Sequence, residues 1–383
     1  MVGSLGRSSR AGLALVALVV VMLGCGGPGP TPPDTDGGDG LDLAGPWTLA
    51  GAGPNFSVDG VMTLDFGGSS SGLVRFIGRS DASGVTTCRT YAFALIDDAL
   101  LLVQSSIHGS EAFVVTAVNE DRLTFVSDVS DFELTRVTGE VPVADCGGAH
   151  LETVATIEGR PSSVGSLVGT GARLYYNRRA SPNALTGYDL ATNSVLADRV
   201  FTQSVGGGID RYVMAALDDD VFYGQCWCGS VQRFSAFNAT TDTHLVQVDS
   251  NTDLGHPTTM RIGAFDASAG RVWLGGRDAT ASDVNRLFLL DPVTLALDSQ
   301  RTILRRASIA DIAIVDDVMY ALLAADYAIV AIGSDGRATA TWSVPRSTVR
   351  GMLQGLAAAD GSLYVMIDDA QGGETILAAV TLE

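Results

Sequence analysis

Between residues 44 and 140 apolar and polar residues alternate in short runs: "PWTLA", "VMTLDF", "GLVRFIG", "TTCRTYAFAL", "ALLLVQSSI", "AFVVTAV", "RLTFVSD" and "FELTRV". Alternation with a period of two puts one side of each run on a buried face, which is the pattern of a half-buried strand. Gly, Asp and Ser cluster between the runs, where tight turns need them. The segment therefore predicts an antiparallel meander, and eight strands suffice to close a small barrel; an open sandwich is the alternative.

From 151 to 383 the pattern changes from a meander to a repeat. Five times an apolar stretch is followed by an acidic or glycine turn, an aromatic-containing strand, a loop, and a further strand ending in a polar turn. The aromatic-containing strands read "ARLYYN", "DDVFYG", "GRVWLG", "DDVMYALL" and "GSLYVMI". Their aligned aromatics, Tyr175, Phe222, Trp273, Tyr320 and Tyr364, follow one another at intervals of 47, 51, 47 and 44 residues. The next strands read "LTGYDLATN", "QRFSAFNATT", "RLFLLDPVT", "AIVAIGSDG" and "TILAAVTLE". Four short strands at this period predict a β-propeller. Five blades account for the length, and six, with one blade disguised, is the alternative. The last repeat ends after its third strand, while "LETVATIEG" (151–159) precedes the first repeat unassigned. Supplied as the outer strand of the last blade, it would close the ring and leave no long edge exposed. The predicted class is all-β, a small antiparallel barrel or sandwich followed by a propeller.

The amino-terminal residues read as an address. Arg7 and Arg10 precede the apolar stretch "AGLALVALVVVML", which is too short to span a bilayer comfortably and suits a signal peptide. It ends in "MLGC" at Cys25. This resembles the lipobox of bacterial lipoproteins, with Met22 where that family usually has Leu. The resemblance implies cleavage before Cys25 and diacylation of that cysteine, so that the membrane is reached through a lipid anchor. The alternative is an ordinary secretory signal with a chance cysteine. The stretch "GGPGPTPPDTDGGDG" (26–40) cannot bury a core and reads as a flexible tether. Gly26 rather than Asp implies, by resemblance to enterobacterial sorting, the outer membrane of a Gram-negative cell. The expected organisation is a signal peptide at 1–24, a lipidated Cys25 and tether to 43, a β-domain at 44–140, a hinge at 141–150 and the propeller at 151–383.

Two further resemblances concern the domains. "LAGPWTL", with Trp47 two residues after Gly45, resembles the Gly-x-Trp opening of lipocalin-like domains, in which the Trp plugs one end of the barrel. The repeats of 151–383 resemble exported propellers with weakly similar blades, including YVTN-type and quinoprotein-like repeats. Trp342 in "ATATWSV" matches no quinoprotein position, so the resemblance implies no cofactor.

Charge narrows the partners. The formal net charge is −19, and the chain contains no lysine: all 24 basic residues are arginine. A negative surface repels phosphate backbones, so nucleic acid is excluded as a partner. Export implies an oxidising compartment, which makes cysteine pairing informative. Apart from Cys25 there remain Cys88, Cys146, Cys226 and Cys228. Their distribution over the two domains favours Cys88–Cys146 and Cys226–Cys228.

The second of these pairs lies in "QCWCG" (225–229), which directly follows the strand "DDVFYG". It is expected to be a loop joining second and third strands, on the face where ligands usually meet propellers. Three readings compete: a metal clip, a redox dithiol, and a disulfide that locks the hairpin and presents Trp227. A metal needs three or four suitably spaced ligands, and His108, His150, His244 and His256 do not supply them, so no metal is expected. Cys-x-Cys is a rare redox spacing, which leaves the disulfide preferred. Other candidates on the same rim are Gln225, the cationic group Asn177, Arg178 and Arg179 with Arg277, and the acids Asp368 and Asp369. Asp218–Asp220 and Asp316–Asp317 precede second strands and read as turns, as does the triplet "NAT" at Asn238. No catalytic set and no phosphate loop is legible. The expectation is a non-enzymatic module that binds a protein or an envelope glycan through this rim. The alternatives are a glycosidase-like or quinoprotein-like propeller enzyme, and a small-ligand carrier that uses the barrel.

Overall fold

The computed structural model describes residues 42–50, 60–96, 99–103, 110–119, 121–126, 131–139, 146–162, 166–178, 181–200, 211–228, 231–258, 262–345 and 349–383. The signal-like segment, Cys25 and residues 26–41 lie outside them.

The first sheet contains β1 (Gly45–Ala50), β2 (Gly60–Phe66), β3 (Ser71–Ser80), β4 (Thr86–Ile96), β5 (Ala99–Val103), β6 (Ser110–Asn119), β7 (Arg122–Val126) and β8 (Asp131–Arg136). Each strand pairs with its neighbour in sequence, and β1 pairs back to β8 from Trp47↔Arg136 to Ala50↔Glu133, closing a barrel. The alternation seen in the sequence is the reason: Leu64, Phe66, Val74, Phe76, Phe93, Leu123 and Leu134 point inward and form one core with Trp47. Trp47 is fully buried, and its indole Nε1 donates to Leu43 O at 2.9 Å. The Arg136 guanidinium lies 4.3 Å over that ring and donates to Ala44 O and Asp42 O. The chain thus enters the barrel at Asp42 and Leu43, the last two residues that the sequence assigned to the tether.

After β9 (Gly147–Glu158) come the blades. Blade 1 holds β10 (Val168–Thr170), β11 (Arg173–Arg178) and β12 (Ser181–Asp189), with its outer strand broken into β13 (Ser194–Val195) and β14 (Arg199–Val200). Blade 2 is β15 (Arg211–Ala216), β16 (Val221–Cys228), β17 (Val231–Asn238) and β18 (Thr243–Asp249). Blade 3 is β19 (Ile262–Asp266), β20 (Arg271–Arg277), β21 (Asn285–Leu290) and β22 (Leu297–Ile303). Blade 4 is β23 (Asp311–Val315), β24 (Val318–Leu323), β25 (Ala328–Ile332) and β26 (Ala338–Ser343). Blade 5 is β27 (Met352–Ala359), β28 (Ser362–Asp369) and β29 (Glu374–Leu382), completed by β9.

The closing strand pairs where the sequence puts it but begins at Gly147, so that residues 147–150 of the expected hinge are strand. Antiparallel pairing of β9 with β29 runs from Glu374↔Glu158 to Leu382↔Ala149. One feature was not legible: the first residues of β9 also pair in parallel with β26, Trp342↔Gly147 and Ser343↔Gly148, joining blades 4 and 5 into one eight-stranded sheet. Apolar cores fill the spaces between successive blades, and the aligned aromatics serve this packing. Tyr175 of blade 1 meets Phe222 of blade 2 edge-to-face at 5.2 Å, a favoured aromatic geometry.

Barrel and propeller are joined along blade 4. Ala338 N donates to Ser83 O, Thr86 N to Thr341 Oγ1, and Arg337 to Asp81 O. Arg89 pairs with Asp326 at 2.8 Å, and Val85 is buried in the core between blades 3 and 4. A Cys88–Cys146 disulfide, with a sequence separation of 58, fixes β4 to the residue preceding β9. Replacing both cysteines by serine is expected to lower stability by roughly 2–4 kcal/mol. Urea denaturation should show this as a lower midpoint, and reductant should reproduce the loss in the parent protein.

Candidate functional site

The innermost strands β10, β15, β19, β23 and β27 surround the propeller axis, and between them lies a cavity of about 430 Å³. Its wall runs from Leu167, Met214, Ile312 and Leu356 at one end to the turns joining first and second strands at the other, with Asp316 and Asp360 among its lining residues. Small residues let the inner strands approach. A Cβ added at Gly169 would lie 1.9 Å from Ala358 O, so only glycine fits where β10 passes β27.

Asp311 stands at the end marked by Leu167 and Leu356, and it is fully buried. Its Oδ2 accepts from Leu167 N at 3.1 Å and Leu356 N at 2.9 Å, its Oδ1 from Ile312 N, and the Ser166 hydroxyl adds a further bond. One carboxylate therefore ties blade 4 to blades 1 and 5. Burial pushes its pKa well above the usual carboxylate range, and the four donors offset this only in part. Asp278, 2 % exposed, makes the contrast. Burial pushes it up too, but Thr280 and Arg286 outweigh that, and its pKa lies below the ordinary value. His256 Nδ1 is 3.8 Å from Asp278 Oδ2, beyond hydrogen-bond reach.

The predicted rim residues are distributed unevenly. Asp368 and Asp369 are 3 % and 2 % exposed. Asp368 accepts Arg160 Nε at 2.6 Å on one oxygen and Arg160 Nη2 on the other. Asp369 Oδ1 accepts Gln371 N and Gly372 N of its own turn, while Arg350 Nε lies 3.4 Å from Oδ2, close enough for an ion pair but misaligned for a hydrogen bond. Asn177 is buried, and its Oδ1 accepts Val213 N, linking blade 1 to blade 2. Arg178 pairs with Asp198 and donates to Glu158 O. Arg277 ends β20, two blades from Arg178, and Arg179 lies outside the described residues.

"QCWCG" departs from expectation. The strand β16 continues through Cys228, paired with β15 at Arg211↔Cys226 and with β17 up to Cys228↔Val231. Trp is compatible with a pleated strand. Cysteines at i and i+2 of an extended strand lie about 6.6 Å apart, at the upper limit for a disulfide. The side chains of Gln225, Cys226, Trp227 and Cys228 lie outside the described residues. No group of His, Cys, Asp and Glu suited to a metal occurs among the described residues. Asn238 Oδ1 accepts Thr240 N and Thr241 N, as a turn residue does. Sequence reasoning missed Asp311 and Arg160, each a single charged residue with no periodic or motif context.

No protein-family model matches the chain, and no curated protein matches it. Among solved structures, a glutaminyl cyclase from Myxococcus xanthus aligns with a TM-score of 0.44 and 11% identity, over 62% of this chain and 98% of that one. BamB from Moraxella catarrhalis aligns with a TM-score of 0.30 and 11% identity, over 84% of this chain and 94% of that one. At such scores the β-propeller assignment rests on the strand pairing of this chain itself.

Asp311 yields a pH prediction. A carboxyl raised above its unfolded value contributes stability that is complete below about pH 4 and is lost as pH rises through the raised value. Asp311→Asn removes that slope and turns an amide donor toward existing donors, at a cost of roughly 1–3 kcal/mol. The variant should be less stable than the parent at low pH, with the gap narrowing as pH rises, read by urea denaturation across pH 4–9.

Proposed function

We propose that this chain is an exported, lipid-anchored binding module of the cell envelope. Cys25 carries the anchor, and residues 26–40 set the folded part off from the membrane, in this reading the outer membrane. The barrel, lipocalin-like in this reading, and the propeller act as one rigid body. The face that carries the second-to-third-strand loops engages a protein or an envelope glycan.

The observation that carries this reading is the way the pieces are locked together. The ring is closed by β9, and the barrel is held to it by the Cys88–Cys146 disulfide and the Arg89–Asp326 pair. A disulfide at this junction suits an oxidising compartment. Rigidity favours recognition, because a preordered surface loses little entropy on binding. The rim also holds its charges in fixed pairs, Arg160–Asp368 and Arg178–Asp198. A glycosidase-like use of Asp368 and Asp369 would need two carboxyls free to face a sugar. Here Arg160 occupies both oxygens of the first and the turn occupies one oxygen of the second.

Cys25→Ser is expected to abolish palmitate incorporation and release the protein from membranes. Partner binding is tested by affinity purification from native membranes followed by mass spectrometry. A tag should follow a flexible linker, because β29 runs to Leu382 and Glu383 N donates to Gly148 O. Stoichiometric recovery of a protein partner supports the scaffold. Recovery of the lipoprotein alone, together with no retention on envelope glycan, overturns it.

A further inference from the structure

Between blades 3 and 4 lies an arginine whose charge the fold leaves unmet, and the repeat itself supplies the comparison. In blade 1 the aligned aromatic Tyr175 pairs with Gly187, and two residues before Gly187 the same strand pairs Leu185 with Arg199 of the outer strand. In blade 3 Trp273 pairs with Leu289, and two residues before Leu289 the strand pairs Leu287 with Arg301. The two arginines therefore hold the same register position. Each lies over the aromatic of its own blade, with Cζ 5.6 Å from the Tyr175 ring centre for Arg199 and 4.6 Å from that of Trp273 for Arg301.

Their surroundings differ. Arg199 reaches the turn between the first two strands of the next blade, where it donates to Asp219 O and lies 3.7 Å from Asp220 Oδ1. Arg301 is met by no such turn. Its Nη2 touches only Met319 Sδ of blade 4, a weak acceptor, and its Nε is buried without any acceptor. No carboxylate comes within ion-pair distance of it among the described residues. Burial holds its pKa below the ordinary guanidinium value, and Asp266 offsets this only in part. In blade 4 the same register position holds Trp342, 6.1 Å from Tyr320, so there the aromatic is covered without a charge.

We propose that Arg301 anchors a docking notch between blades 3 and 4 for an acidic side chain of a protein partner, whose carboxylate meets the guanidinium beside Trp273. Nη1 bonds to nothing among the described residues and is not buried, so an incoming oxygen can reach it. One guanidinium matches one carboxylate, whereas a dianionic phosphate would bring a second negative charge close to Asp266. Arg, Trp and Met are the residue types enriched in the buried parts of protein interfaces, which favours a protein over a glycan at this place. The notch is separate from the loops joining second and third strands, so it goes beyond the rim reading and either can fail alone.

The test is a titration of detergent-solubilised full-length protein, carrying 15N-labelled arginine, with the blocked peptide acetyl-Ala-Glu-Ala-amide. Acetyl-Ala-Gln-Ala-amide at matched ionic strength separates charge from shape. The arginine Nε–H resonances are followed, and Arg301→Lys and Arg199→Lys identify the two that matter while keeping a cation over each ring. The expected result is a shift at Arg301 at least three-fold larger with the Glu peptide than with the Gln peptide, and none at Arg199, whose charge is already met. No shift at Arg301, equal shifts with the two peptides, or a shift at Arg199 as large as that at Arg301 overturns the proposal. Were either variant not to fold, the parent spectrum decides alone: a single arginine resonance that distinguishes the peptides supports the notch, and none or many overturns it.

Discussion

Everything in this molecule depends on where β9 makes its hydrogen bonds. A propeller blade of three strands leaves its outer edge open, and an open edge invites pairing with other chains. β9 closes that edge in blade 5 along nearly all of β29. Its first two residues then cross to β26 and cover the outer edge of blade 4 as well. One strand from the start of the repeat region therefore unites the last two blades.

The same strand fixes the barrel. Cys146 immediately precedes β9, and its disulfide partner Cys88 lies on β4, whose neighbouring residues bond to β26. The edge of blade 4 thus meets β9 on one part of its length and the barrel on another. Two domains connected only by a tether would move independently. Here the covalent link, the backbone bonds from Ala338 and Thr86, and burial of Val85 act at one seam. Barrel and ring present their outer faces at a fixed relation, as a platform for recognition requires.

Much of this was legible, because it is repeated or periodic. All eight barrel strands follow from alternation, and the five second strands follow from aromatics that recur because each blade packs against the next. The closing strand was legible as a strand without a partner facing a blade without an outer strand. What the sequence hid depends on contacts between distant residues. Asp368 reads as an exposed loop acid until Arg160, 208 residues away, closes over it. Asp311 is one acid in an ordinary apolar run, and its role comes from backbone donors of blades 1 and 5. "QCWCG" reads as a loop because it directly follows the strand "DDVFYG" in the repeat. Strand register decides otherwise, and register is set by the whole hairpin.

The net charge of −19 also takes a different meaning once the turns are visible. Asp189, Asp218, Asp249, Asp266, Asp291, Asp335 and Asp369 each accept a backbone N–H two or three residues on. A propeller needs many tight turns, and Asp makes them with its own carboxylate. Part of the acidity is therefore a consequence of hairpin chemistry. Arginines offset part of it in pairs such as Arg173–Asp219 and Arg271–Asp298.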